Sequence, residues 1–224
     1  MKTVFSSSST FQRFNHLWLM LISFLAHGVL SQSIVSPDFS FQPKDRIALV
    51  GDTLLEREQT WGYLETAITA RHPAHDLVFR NFAWSGDNPL GQSRASFDWS
   101  KPKEQWVQRI TRELEVFEPT VLLLGYGMAS SLEHPNQSRA FRDELVALIE
   151  ACRAVSKKPA DLRVVLLSPM RHEAIGAPLP DPSDHNQALA RYVRTLRALA
   201  LQQQLPFVDL YHDLGDGHAD PFKR

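Results

Sequence analysis

The chain has 224 residues, 22% of them charged and 43% hydrophobic, enough for one domain with a core of its own. A formal net charge of -1 gives no reason to expect nucleic acid or an anionic membrane as partner. Cys152 is the single cysteine, which excludes an internal disulfide and a cysteine-based metal site; its helical setting suggests an apolar filler.

In chain order, Lys2, Arg13 and His16 come first and an apolar run over residues 17–30 follows, with no acidic residue before Asp38. This order predicts an export signal over residues 1–31 and a periplasmic or secreted protein. The run is shorter than the ~20 residues of a membrane-spanning helix, so no membrane contact is expected beyond the signal. Residues 32–44, with Ser36-Pro37 and Gln42-Pro43, read as an extended linker, and residues 45–224 as the domain.

Five short apolar runs then read as buried strands: 47–50, 77–82, 121–124, 164–167 and 207–210. Helical spacing connects them. The first helix is expected over 56–71, with Leu55, Trp61, Leu64 and Ile68 on one stripe, and the second over 103–117, with Trp106, Ile110, Leu114 and Phe117. Two more are expected over 138–155 and 185–204. This alternation predicts an α/β fold: a flavodoxin-like three-layer sandwich, about five parallel strands with helices on both faces and right-handed crossovers. No Gly-x-Gly-x-x-Gly opens any helix and no P-loop pattern is present, so a nucleotide-binding domain is disfavoured.

The loops at the strand ends carry the chemistry, because ligands of open α/β sheets bind at the carboxyl edge. They read Gly51-Asp-Thr-Leu-Leu-Glu-Arg57, Arg80-Asn-Phe-Ala-Trp-Ser-Gly-Asp87, Gly125-Tyr-Gly-Met and Ser168-Pro-Met-Arg-His-Glu173. In this order the blocks resemble the SGNH (GDSL-type) hydrolases, and most of all an exported bacterial branch with Gly-Asn-Thr in its first block. The resemblance runs from about Asp45 to Leu210. It implies the SGNH hydrolase fold, ester hydrolysis and a small-molecule or carbohydrate ester as partner, with no cofactor or metal.

Residue by residue, the resemblance puts Thr53 at the nucleophile position, where the family has serine, and gives Gly86 the role of a backbone oxyanion donor. Gly127 stands where the family's oxyanion asparagine belongs, with Asn81 and Asn88 as nearby substitutes. Asp52, Asn88, Tyr126 and His172 are expected around the substrate. The family's Asp-x-x-His is sought near the C-terminal end, where Asp216-Gly-His218 offers the two residue types one position too close together. The expected domain is therefore C-terminally truncated or degraded in that block.

Bland alternatives stand beside these roles. The Thr53 hydroxyl would serve equally as a helix cap, Asn88 as a turn residue before Pro89, and His172 as the start of a polar loop. Threonine is a hindered nucleophile, because its β-methyl stiffens χ1, and no N-terminal amine adjoins it to act as base. Two functions are thus expected from the sequence: an ester hydrolase with a degenerate site, or a non-catalytic relative that keeps the cleft as a binding module.

Overall fold

The computed structural model describes residues 37–94 and 107–214. Its elements are β1 (Arg46–Gly51), α1 (Thr53–Trp61), α2 (Tyr63–Arg71), β2 (Val78–Asn81), α3 (Gln108–Phe117), β3 (Val121–Gly125) and α4 (Met128–Glu133). After these come α5 (Ser138–Val155), a 3-10 turn (Pro159–Asp161), β4 (Arg163–Leu167), α6 (Ser183–Gln203), β5 (Phe207–Val208) and α7 (Leu210–Asp213). The five strands form one parallel sheet in the order β2-β1-β3-β4-β5.

Strand side chains alternate between faces, so β1 sends Ala48 and Val50 to one layer and Ile47 and Leu49 to the other. The first layer is closed by α3, α5 and α6 through Ile110, Leu114, Phe141, Leu145, Tyr192 and Leu196. The second is closed by Leu55 of α1, Leu64 of α2 and the extended segment before β1, whose Phe39 and Phe41 meet edge to face at 5.0 Å. Residues 37–44 of the expected linker therefore pack on the domain. Cys152 lies in the first layer, and burial pushes its thiol up to about 12, which leaves it unreactive.

The helix expected over 56–71 is two helices. Gly62 takes a left-handed φ of 61° and closes α1 with its N–H on the Glu58 carbonyl. Glycine bears that conformation without strain, and the chain turns there. Trp61 is consequently 62% exposed, off the expected stripe. The strand expected over 207–210 stops at Val208, because Asp209 turns the chain into α7. Residues 103–106 of the expected second helix, Trp106 included, lie outside the described residues.

Candidate active site

Gly51 ends β1 opposite Gly125, the end of β3. A Cβ on Gly51 would stand 2.2 Å from the Gly125 carbonyl oxygen, so only glycine allows the two strand ends to approach this closely. The chain then turns sharply. Asp52 N–H donates to the Gly125 carbonyl at 2.9 Å, and Thr53 becomes the first residue of α1. No side-chain cap bond forms at this helix start.

The Thr53 hydroxyl faces the loop after β2 instead. Its Oγ1 accepts the Gly86 N–H at 3.0 Å and lies 3.2 Å from Ser85 Oγ. At the first position of α1, the N–H of Thr53 has no intrahelical acceptor. A small hydroxyl thus sits beside backbone donors at the carboxyl rim of a parallel sheet.

Asp52 points the other way and is 2% exposed. Its Oδ2 accepts the N–H groups of Gly127 at 3.2 Å and Met128 at 3.0 Å, clamping the start of α4 to the turn that carries Thr53. Burial outweighs these donors and raises its pKa to about 6. Buried and occupied in this way, Asp52 is not available to a substrate. The Gly127 N–H is also consumed by this bond, so position 127 presents no donor to an oxyanion.

Other residues expected near substrate have structural work as well. Tyr126 is 2% exposed and hydrogen-bonded to Arg94, and burial raises its pKa. Asp87 is fully buried and pairs with Arg94 Nε at 2.7 Å, while the same guanidinium bonds the Phe82 carbonyl. Asn88 Oδ1 accepts the N–H groups of Leu90 and Gln92, each at 3.2 Å, and its Nδ2 bonds Gln92 Oε1. Its amide is spent on the turn. Asn81 is likewise committed, to the Leu55 carbonyl at 2.6 Å and the Ala83 N–H at 2.9 Å.

A second group of polar residues lies after β4 and β5. Asn186 holds the backbone of His172, accepting its N–H at 2.9 Å and donating to its carbonyl at 2.8 Å. The His172 ring meets His185 with Nδ1 atoms 3.2 Å apart, and His185 Nε2 lies 3.1 Å from Ser131 Oγ. Ser131 Oγ also lies within hydrogen-bond reach of the Met128 carbonyl, at 2.9 Å. Desolvation first, then the neighbouring His172, lowers the pKa of His185.

Directly after β5, Asp209 caps α7, and its two oxygens stand 2.9 Å from His212 Nδ1. Asp209 also pairs with Arg197, and together these bonds hold its carboxyl below the usual range despite burial. Asp209-Leu-Tyr-His212 has the Asp-x-x-His spacing that the sequence analysis sought further on. Asp216 and His218 lie outside the described residues. Among the described residues, no group of three or more metal-ligating side chains converges.

The GDSL-like Lipase/Acylhydrolase family model matches residues 48–224. The chain belongs to that family. No curated protein matches the sequence. Several solved structures share the fold at low identity. A lipase/acylhydrolase from Enterococcus faecalis has 15% identity and a TM-score of 0.53, over 76% of this chain and 78% of that one. A catalytic mutant of the acetylxylan esterase Axe2 from Geobacillus stearothermophilus has 12% identity and a TM-score of 0.54, over 78% and 80%. BT4096, a gut microbial diltiazem-metabolizing enzyme, has 14% identity and a TM-score of 0.57; 81% of this chain is covered, but only 40% of BT4096. The α/β sheet with helices on both faces is thus the SGNH hydrolase fold, and the family's reaction is ester hydrolysis.

Proposed function

We propose that this chain binds acylated carbohydrates at the Thr53 rim and hydrolyses them slowly. The observation that carries this reading is the environment of Thr53 Oγ1, whose partners among the described residues are Ser85 Oγ and the Gly86 N–H rather than an imidazole. Acetylxylan esterases among the solved structures with this fold support the substrate class.

In the reaction, Thr53 Oγ1 attacks the ester carbonyl carbon and loses its proton to solvent water, while the former carbonyl oxygen takes the negative charge. Collapse expels the alcohol, which regains a proton from water, and a second water hydrolyses the acyl-threonine to the acid and free Thr53. The N–H of Thr53 is a donor for that negative charge, and the Gly86 N–H becomes one when Thr53 Oγ1, which it bonds at 3.0 Å, moves off it to attack. A missing side-chain donor at position 127 costs a factor of about 10²–10³. The proton is the larger obstacle, because a hydroxyl without a positioned base stays protonated at neutral pH. Slow turnover follows from both effects. The alternative, a pure binding module, is favoured by the same lack of an imidazole on Thr53.

Hydrolysis of 4-nitrophenyl acetate and of acetylated xylan by the parent and by Thr53→Ala separates the two. The expected result is a low kcat/KM that falls at least about tenfold in the variant. Equal rates for the two proteins would end the hydrolytic reading. Export is proposed on the leader's basic and apolar order. N-terminal sequencing of the protein from an exporting host tests it, with a start near Ser31 expected; an intact Met1 on a cytoplasmic product would overturn it.

A further inference from the structure

The chain has nine histidines, and among the described residues their rings meet in two pairs. The pairs are built differently. His72 and His75 are stacked, with centroids 4.8 Å apart and planes inclined by only 28°. His172 and His185 meet edge to face at 84°, and their Nδ1 atoms are 3.2 Å apart. That difference decides what each pair can bind. The lone pair of an imidazole nitrogen lies in the ring plane, so an ion held by two rings must lie close to both planes. Stacked rings, with planes nearly parallel, offer no such point between them. Planes at nearly a right angle intersect, and the two Nδ1 atoms already face each other.

The separation fits a metal ion. Zinc–imidazole bonds are about 2.0–2.1 Å long, so an ion equidistant from nitrogens 3.2 Å apart sees them at roughly 100–105°, close to the ~109° of a tetrahedron. Both rings are also steadied. Asn186 fixes the backbone of His172 from two sides, accepting its N–H and donating to its carbonyl. The far nitrogen of His185, Nε2, stands 3.1 Å from Ser131 Oγ. Two neutral rings carry one proton each. With these protons on the Nε2 atoms, both Nδ1 lone pairs are open and the His185 N–H has Ser131 as its partner. An outer hydrogen bond of that kind orients metal-bound imidazoles.

The approach is open, because His172 is exposed and His185 half-buried. The start of α6 is an end that helix dipoles make positive, which opposes a cation; Asp184 in its first turn and Asp181 just before it offset that charge. Imidazole nitrogens suit zinc, copper and nickel, whereas magnesium and calcium take oxygen ligands.

We propose that His172 and His185 chelate one divalent transition metal through their Nδ1 atoms, with zinc the best match to this bite. No third metal-ligating side chain converges among the described residues, so two tetrahedral positions are left for water or an external oxygen ligand. The site does not rest on hydrolysis at Thr53. The test is calorimetric titration of the full chain with zinc chloride and, separately, with magnesium chloride. One zinc per chain at micromolar affinity is expected, with magnesium far weaker. His172→Ala and His185→Ala should each weaken zinc binding at least about tenfold. His172 is exposed, so its variant carries the test even where His185→Ala disturbs α6. In ¹⁵N spectra of the imidazoles, zinc should shift the Nδ1 resonances of His172 and His185 and leave those of His72 and His75 in place. Affinity that survives His172→Ala, or that is lost in His212→Ala instead, would mean adventitious binding to surface histidines and overturn the site. So would shifts centred on other rings, or magnesium binding as tightly as zinc.

Discussion

The rim of the sheet has two halves that are built differently. On the β1–β2 side, Thr53 and Gly86 stand over a buried framework of carboxylates, Asp52 on the N–H groups of α4 and Asp87 on Arg94. On the β4–β5 side, imidazoles are well positioned, His172 by Asn186 and His185 and His212 by Asp209, and both rings are largely exposed. Among the described residues, the first half carries the Thr53 hydroxyl with no imidazole bonded to it, and the second half carries the imidazoles. The contrast teaches that one rim is held in two ways: buried charge fixes the backbone on the first side, and hydrogen bonds to exposed rings fix the imidazoles on the second.

If the first half is held by buried charge, breaking that charge should cost most. Asp87→Ala would leave the Arg94 guanidinium buried with no carboxylate, and the loop that carries Gly86 would lose its anchor. A loss of about 3–5 kcal/mol is expected in urea unfolding. A loss below ~1 kcal/mol would show that the ion pair is not what fixes this loop.

The pH dependence should differ in sign between the halves. Burial raises the Asp52 pKa from 3.8 to about 6, so the folded protein binds this proton more tightly than the unfolded chain. Its contribution is present below pH ~4 and lost as pH rises through about 6, a swing of roughly 3 kcal/mol. Asp52→Asn keeps an acceptor for Gly127 and Met128 and should remove that decline. For His185 the shift is downward, so its contribution is present above the ordinary histidine value and lost as pH falls below it. His185→Gln should flatten stability on that acid side, by less than Asp52→Asn does on its own range. Denaturant titrations from pH 3.5 to 8 read both effects, and parallel curves for parent and Asp52→Asn would refute the first.

Much of this was legible in the sequence because parallel strands buried on both faces leave continuous apolar runs, as at Ile47 to Val50 and Val121 to Leu124. The break at Gly62 was not, since Leu55, Leu64 and Ile68 keep helical spacing across it and only the left-handed φ ends the helix. Asp209-x-x-His212 is hidden for a related reason: an apolar run read through Leu210 absorbs Asp209, and only the end of β5 at Val208 sets it apart. The His172–His185 contact spans 13 residues, and nothing local in the sequence joins the loop after β4 to the first turn of α6. Asp52 and Tyr126 looked like ligands because they sit in the right blocks; only burial shows that they face inward.

The smallest effect is the sharpest test of the comparison. Thr53→Ser removes a methyl, frees χ1 and restores the residue type of the family's nucleophile. If the nucleophile half limited the reaction, this change would raise kcat/KM strongly. The serine hydroxyl would still lie among Ser85 and Gly86, with the donor missing at position 127 and, among the described residues, no imidazole bonded to it. Groups that act together recover little when one is repaired alone. The expected gain in kcat/KM on 4-nitrophenyl acetate is therefore within about threefold, and Thr53→Ser with Gly127→Asn should remain within about tenfold of the parent, because the proton still has no acceptor. A gain of a hundredfold or more from Thr53→Ser alone would mean that an imidazole already reaches this hydroxyl. The halves would then be joined in solution, and the β-methyl of Thr53 would be what keeps the site slow.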